Sequence, residues 1–250
     1  MKKKLITDSK TRFSETVQDY DQYRPSYPLQ LIDWIINTAK VKPSAVVVDL
    51  GCGTGIATRL FAARGFTTIG IDPNEDMLAD ATKRGGASYQ KGDAQDSGLQ
   101  NESVDLVISA QAFHWFNIKQ TMRELKRIVR PNGFCCAFWN VREGTPFVKD
   151  YEYLLKQYSN DYQKTPKASE TINIIKNFPI IKSAKEAQFS NSQEFDLAGL
   201  IGRAYSTSYI AHGVKDHDNF KQALTELFGK FKSQGKVTVV YKTLAICWKF

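Results

Sequence analysis

The sequence predicts a doubly wound α/β sheet with helices on both faces. Three observations carry the prediction. Short apolar runs alternate with helical patterns across residues 45–140. A-V-V-V-D-L (45–50) and V-D-L-V-I-S-A (104–110) are apolar on both faces, as strands of a covered parallel sheet are. The glycine-rich turn G-C-G-T-G joins the first of these strands to a helix, the arrangement that opens a ligand crevice in such sheets.

Taken in order, Phe13, Val17 and Tyr20 fall at helical spacing and predict a short amphipathic helix, broken by the two prolines of Y-R-P-S-Y-P. Leu29 to Ala39 reads as a helix with Leu31, Ile32, Ile35 and Ile36 facing inward. The strand 45–50 leads through the glycine turn into I-A-T-R-L-F-A-A-R, a helix stopped by Gly65. T-T-I-G-I-D (67–72) is the second strand, E-D-M-L-A-D-A-T-K-R (75–84) a helix, and A-S-Y-Q-K-G-D (87–93) the third strand. The fourth strand spans 104–110. The helix 119–129 ends in P-N-G, a turn signal, before F-C-C-A-F-W-N (134–140), the fifth strand. Residues 146–232 read as helices and loops with a strand over 184–190, and Val237 to Trp248 as the closing strand.

The chain is expected to form one domain (1–250), with N-terminal lid helices over 1–44 and a ligand-binding core over 45–140. A substrate-side insertion over 141–235 and a closing strand over 236–250 complete it. No apolar run approaches the ~20 residues that span a bilayer. Met1-Lys2-Lys3-Lys4 is followed by T-D-S-K-T-R rather than an apolar stretch, so no secretory signal and a cytoplasmic location are expected. Cys52, Cys135, Cys136 and Cys247 lack the spacing of a zinc site and read as free thiols, with no metal expected. The net charge of +8 divides into +3 before Asn140 (18 basic, 15 acidic) and +5 after it (16 basic, 11 acidic). That even spread favours a solvated basic surface over a nucleic-acid footprint, and it suits an anionic small substrate.

The glycine turn is G-x-G-x-G, whereas the dinucleotide fingerprint is G-x-G-x-x-G. Asp49 sits beside it, where a carboxylate would repel a pyrophosphate and attract a cation. S-adenosylmethionine carries an ammonium and a sulfonium and no phosphate, so the electrostatics favour it over NAD or ATP. Asp72 ends the second strand and can accept from a ribose diol; Asp93 ends the third and can accept from an adenine amine. Capping of the following helix competes with each of these roles, but three acids at three consecutive strand ends lie along one crevice.

D-L-G-C-G-T-G, I-D-P-N-E-D-M-L, K-G-D-A-Q, V-D-L-V-I-S-A-Q-A-F-H-W-F and L-K-R-I-V-R-P-N-G-F together resemble class I S-adenosylmethionine-dependent methyltransferases. F-S-x-x-V-x-x-Y-x-x-Y-R-P-S-Y-P and A-F-H-W-F look like the type 11 branch that includes trans-aconitate methyltransferases. The resemblance covers residues 12–142; beyond it only G-L-I-G-R-A-Y-S-T-S-Y-I (199–210) and the last strand are similar. It implies a Rossmann-like seven-stranded sheet with the last strand antiparallel and a helical insertion or lid. It also implies that Asp49, Gly51, Cys52 and Gly53 surround the methionyl part of S-adenosylmethionine. Asp72 and Pro73 would lie at the ribose, Met77 against the adenine, Asp93 and Ala94 at the adenine edge, and Gln111 by the methionyl amine. The product would be S-adenosylhomocysteine.

Methyl transfer from a sulfonium needs nucleophile, methyl and sulfur held in line and away from water. A base is needed only where the nucleophile must lose a proton, which a carboxylate acceptor need not. His114 is the candidate base, with a positioning role in the pocket wall favoured by its aromatic neighbours. Side chains alternate along an extended segment, so Phe113 and Trp115 should divide between core and pocket. Arg24 can fork onto a carboxylate or pair with Asp19 or Asp21, and Tyr20, Tyr23 and Tyr27 can form a lid or staple the N-terminal segment to the sheet. For Arg142 and Arg203 a solvated face is the expectation, with anion binding the alternative. Tyr20, Arg24, Tyr27, His114 and Trp115 thus make up the expected acceptor side.

The reading is methyl transfer to a small molecule, a carboxylic acid among the candidates, by a monomer or homodimer with no membrane partner. RNA methylation and a non-catalytic S-adenosylmethionine-binding protein are the alternatives. No N/D-P-P-Y/F/W motif follows the fourth strand, which counts against base methylation, and the intact glycine turn with its three acids counts against lost chemistry.

Overall fold

A computed structural model describes residues 23–159, 167–211 and 213–250. The expected helix around Phe13 to Tyr20 lies outside them. The described elements are α1 (Leu29–Ala39), β1 (Val46–Leu50), α2 (Ile56–Ala62), β2 (Thr67–Asp72), α3 (Glu75–Arg84), β3 (Ser88–Lys91), β4 (Val104–Ala110), a 3-10 turn (Phe113–Trp115), α4 (Ile118–Ile128) and β5 (Val129–Arg142). After them come α5 (Pro146–Tyr158), α6 (Ala168–Lys176), β6 (Ser183–Phe195), α7 (Leu197–Tyr205), α8 (Ser208–Ala211), α9 (His217–Phe231) and β7 (Val237–Lys249).

The strands form one seven-stranded sheet in the order β3-β2-β1-β4-β5-β7-β6. The first five are parallel, and β7 runs antiparallel to both its neighbours. The strand order therefore reverses between β1 and β4, and the crevice opens at their carboxyl ends. Successive residues feed opposite cores. Val47, Leu106 and Ile108 meet Leu31, Ile32, Ile35 and Phe61 on one face. Val48 and Val107 meet Phe113, Met122, Leu125 and Trp139 on the other. This double burial is why β1 and β4 are continuous apolar runs.

Two expectations are corrected. P-N-G does not form a turn ahead of β5. Val129 pairs with Val104 and Phe134 with Leu106, so Arg130 to Gly133 bulge out of the strand opposite Asp105. Glycine is required at the end of the bulge, because a Cβ on Gly133 would lie 2.6 Å from Val129 Cγ1 and 2.9 Å from the Asp105 carbonyl. The strand expected over 184–190 runs from Ser183 to Phe195 and pairs with β7 along that whole length.

α5, α7 and α9 enclose a third apolar cluster against β7, built on Phe147, Tyr151, Leu200, Phe220, Leu224 and Tyr241. Segment Tyr23–Tyr27 crosses between this cluster and the sheet. It is tied down by bonds from Gln193 to the Tyr23 carbonyl (3.3 Å), and from Asn140 (3.2 Å) and Asn191 (2.8 Å) to the Ser26 carbonyl. No helix among the described residues is long and apolar enough to cross a membrane.

Candidate functional site

The loop after β1 is folded by its own backbone and by Asp72. Gly51 and Cys52 donate to the Ile71 carbonyl (2.8 and 3.1 Å), and Gly55 to the Cys52 carbonyl (2.9 Å). Gly51 has φ +76, and a Cβ there would meet Ala112 Cβ at 2.6 Å and the Phe116 ring at 3.0 Å. Only glycine satisfies both demands. Asp72 accepts from Gly53 N through Oδ2 and from Asn74 N through Oδ1, each at 2.9 Å. The cap of α3 is Asn74 rather than Asp72, its Oδ1 accepting from Met77 N at 3.0 Å. Asp72 thus braces the glycine loop against the start of α3. Each of its oxygens keeps further acceptor capacity.

These elements wall a cleft whose empty space, solvent-facing mouth included, is about 1190 Å³. Of the residues expected from sequence, Gly51, Cys52, Gly53, Asp72, Pro73, Met77, Asp93, Ala94, Gln111, Arg24, Tyr27 and Trp115 line it. Asp49 and His114 are not among the lining residues, and Tyr20 lies outside the described residues. Phe116, at the end of the aromatic run, lines it as well, as do Asn74, Gln95 and Ala112, which the sequence did not single out. Asn74 carried a readable signal, since an Asn three residues ahead of Met77 fits a helix cap.

Asp49 lies beneath the loop, 1 % exposed, its Oδ2 accepting from Thr58 Oγ1 at 2.6 Å and its Oδ1 buried with no hydrogen-bond partner among the described residues. Burial pushes its carboxyl up to about 7, with the nearby Asp72 charge adding to the rise against the Thr58 hydrogen bond. A buried carboxyl with an open oxygen under the loop fits a ligand that carries positive charge just above it. Burial also raises Asp72, which its two backbone donors oppose. Asp93 lies past the end of β3, and its Oδ1 accepts from Gln95 N (2.8 Å) and Asp96 N (3.0 Å). Gln111 takes φ 56, held there by its N–H to the Phe138 carbonyl (2.9 Å) and its Nε2 to the Asn140 carbonyl (3.0 Å).

The aromatic run after β4 divides as expected, for a different reason. It is a 3-10 turn rather than an extended segment, so successive side chains point about 120° apart. Phe113 is 1 % exposed and packs edge-on against Trp248 at 5.5 Å between centroids, while Trp115 and Phe116 face the cleft. His114 turns away, its Nδ1 accepting from Trp139 Nε1 at 3.0 Å. Burial lowers its pKa to about 4, and protonation would remove this acceptor. The neutral ring is therefore favoured on folding, and its stabilisation is complete above the ordinary pKa of about 6.5 and lost as pH falls towards 4. Trp139→Phe should narrow that acid-side loss, read from melting temperature between pH 4 and 7.

Two arginines contradict the expected solvated face. Arg203 is 4 % exposed, and the Arg142 side chain only 12 %. Arg24 donates from Nη2 to the Ser206 carbonyl at 3.0 Å.

Residues 48–137 match the family described as "Methyltransferase domain". A methyltransferase-like protein of Schizosaccharomyces pombe is 36% identical over 157 residues, which are 62% of this chain and 61% of that protein. A malonyl-[acyl-carrier protein] O-methyltransferase of Marinomonas is 31% identical over 130 residues, covering 49% of this chain and 48% of that one. The chain thus spans less than two thirds of the length of these relatives. Among solved structures, one from Anabaena variabilis described as a methyltransferase from an antibiotic biosynthesis pathway superposes with TM-score 0.65 at 19% identity. It covers 92% of this chain and 100% of that one. A Haemonchus contortus phosphoethanolamine N-methyltransferase in complex with S-adenosyl-L-methionine superposes with TM-score 0.59 at 16% identity, covering 98% of this chain and 59% of that one. With the sheet order, the glycine loop and the family match in agreement, residues 48–137 form a methyltransferase domain similar to the class I S-adenosylmethionine-dependent methyltransferases of the type 11 kind.

Proposed function

We propose that the protein transfers a methyl group from S-adenosylmethionine to a small molecule, onto a carboxylate oxygen. One observation carries the reading: a glycine loop with Asp49 below it and Asp72 and Asp93 beside it, a cleft built for a ligand with cationic and hydroxyl groups and no phosphate. In this reading Asp72 accepts from the ribose hydroxyls, with Pro73 alongside, and Met77 packs on the adenine. Asp93 and Ala94 meet the adenine edge. Gly51, Cys52, Gly53 and Gln111 enclose the methionyl end, and Asp49 faces its ammonium through the loop. The sulfonium supplies an activated methyl; an acceptor oxygen forms the new C–O bond as the C–S bond breaks, and the electron pair stays on sulfur in S-adenosylhomocysteine.

The chain's own task is to align and desolvate the acceptor. Arg24, Tyr27 and Trp115 line the cleft for this, with Tyr20 proposed to join them. A carboxylate nucleophile suits a wall in which His114 is turned away and held neutral, because it needs no base. The O-methyl transfer named for the Marinomonas relative agrees with this choice.

Labelled-methyl transfer should be screened against carboxylic acids, phenols and RNA. Labelling of carboxylic acids as base-labile esters is expected, and incorporation into RNA alone would overturn the acceptor class. His114→Gln should cost less than about tenfold in rate, as loss of a general base costs ~10²–10⁴.

Asp49 makes binding pH-dependent. A carboxyl raised to about 7 destabilises the free protein as pH climbs from about 4 to 7, because the folded state holds the proton longer. A cationic ligand favours the ionised form, so affinity should rise with pH until about 7 and then level off. Asp49→Asn should abolish that pH-dependent part and weaken S-adenosylmethionine binding about tenfold or more at pH 8, while raising the free protein's melting temperature. Parallel pH profiles of wild type and variant would count against the role.

A further inference from the structure

Two walls of the cleft come from distant parts of the chain. Arg24, Pro25 and Tyr27 supply one, from the strap that crosses the sheet, and Gln111 and Ala112 supply another, just past β4. A buried residue outside the cleft joins them. Asn140, near the end of β5, is 9 % exposed and is not among the lining residues. Its Nδ2 donates to the carbonyl of Ser26, between Pro25 and Tyr27, at 3.2 Å. Its Oδ1 accepts from Thr243 Oγ1 at 2.6 Å and from Asn191 Nδ2 at 3.1 Å. Its backbone carbonyl accepts from Gln111 Nε2 at 3.0 Å. Asn191 Nδ2 also donates to the Ser26 carbonyl, at 2.8 Å, and closes the network. A carbonyl only accepts, so the Asn140 amide nitrogen must face Ser26, which turns Oδ1 towards Thr243 and leaves the side chain one orientation.

Both walls depend on this restraint. Gln111 sits at φ 56, a region that a residue with a Cβ keeps only where its surroundings over-determine it. Its described bonds both run to β5, from the N–H to the Phe138 carbonyl at 2.9 Å and from Nε2 to Asn140. On the other wall, the Tyr27 ring packs edge-on against Phe138 at 4.8 Å between centroids, and Ser26 is held by Asn140. Phe138 and Asn140 therefore each hold one group from each wall. Packing does not ask for an asparagine here, because a buried amide is costly unless its donors and acceptors are met.

We infer that Asn140 is a positioning residue for methyl transfer: it sets the strap Arg24–Tyr27 against Gln111, and so the methionyl end of the cofactor against the acceptor. The inference rests on the S-adenosylmethionine reading above. In that reading Asn140 touches neither ligand and acts through Ser26 and Gln111.

The test titrates the full chain with S-adenosylhomocysteine by calorimetry, well below the melting temperature. There the native state is already fully populated, so a contact that only stabilises the fold leaves affinity unchanged. Asn140→Ala should weaken binding about fivefold or more. Asn191→Ala removes one of the two donors to Ser26 from a less buried position, and should weaken it about two- to threefold. Thr243→Val keeps the shape and the Ser26 bonds while deleting the hydroxyl behind Asn140. It should lower the melting temperature by roughly 1–6 °C with affinity within about twofold of wild type. Amide exchange across Tyr23–Tyr27 should quicken about fivefold or more in Asn140→Ala, while Val104–Ala110 exchange as in wild type. If Asn140→Ala does not fold, Asn191→Ala gives the reading by itself. Unchanged affinity in every folded asparagine variant, or an equal loss in Thr243→Val, would overturn the positioning role. That result beside normal wild-type binding removes the positioning role alone; no binding to the wild type removes the S-adenosylmethionine reading and the positioning role with it.

Discussion

Gly51→Ala is expected to abolish measurable S-adenosylmethionine binding and to lower the melting temperature. Two costs add. Holding a non-glycine residue at φ +76 costs roughly 1–2 kcal/mol. The new methyl would stand 2.6 Å from Ala112 Cβ and 3.0 Å from the Phe116 ring, and such overpacking costs about 1–3 kcal/mol. For a chain of this size the sum corresponds to a fall of roughly 5–15 °C. Relief requires the loop or the Ala112–Phe116 wall to move, and both line the cleft. Affinity should therefore drop at least about a hundredfold, by calorimetry. Gly51→Ala with Ala112→Gly removes the closest clash but not the backbone strain, so it should recover part of the melting temperature. Full recovery would assign the whole effect to sterics, and near-wild-type affinity in the single variant would contradict the placement of the ligand.

Asp72→Ala is the second large effect. The carboxylate holds Gly53 N and Asn74 N, and in the proposed complex it also accepts from a ribose. Hydrogen bonds to a charged group contribute about 1.5–3 kcal/mol, so loss of the ribose contact alone predicts a roughly ten- to 150-fold weaker dissociation constant. Freed loop amides should add to this. Asp72→Asn keeps one acceptor oxygen and should lose less than the alanine variant. Equal affinity in wild type and Asp72→Ala would refute the ribose role.

The glycine-loop side of the cleft was legible in the sequence because its geometry is local. The glycines must lie at a strand end to turn the chain, and Asp49, Asp72 and Asp93 lie in or just past three successive strands. The parallel sheet was legible for a related reason, since burial on both faces writes continuous apolar runs at β1 and β4. The edge was not. In β6, S-A-K-E-A-Q-F-S-N-S-Q-E-F is largely polar because most of its side chains face or border solvent, and only pairing with β7 across some fifty residues of chain makes it a strand of full length.

The bulge at P-N-G was hidden because turns and bulges draw on the same residues. His114 was misjudged as a lining residue because a single turn of 3-10 helix decides which way it faces. Arg142 and Arg203 were expected in solvent because arginines usually are; their burial depends on contacts among α5, α7, α8 and β7 that no local pattern encodes.

The account turns on the cleft at the carboxyl ends of β1, β2 and β4 binding S-adenosylmethionine through Asp72. Calorimetric titration of the purified full chain, wild type beside Asp72→Ala, measures that most directly. The account predicts saturable one-to-one binding for the wild type and a dissociation constant at least about tenfold higher for the variant. No saturable binding to the wild type, or identical constants for the two proteins, would contradict it.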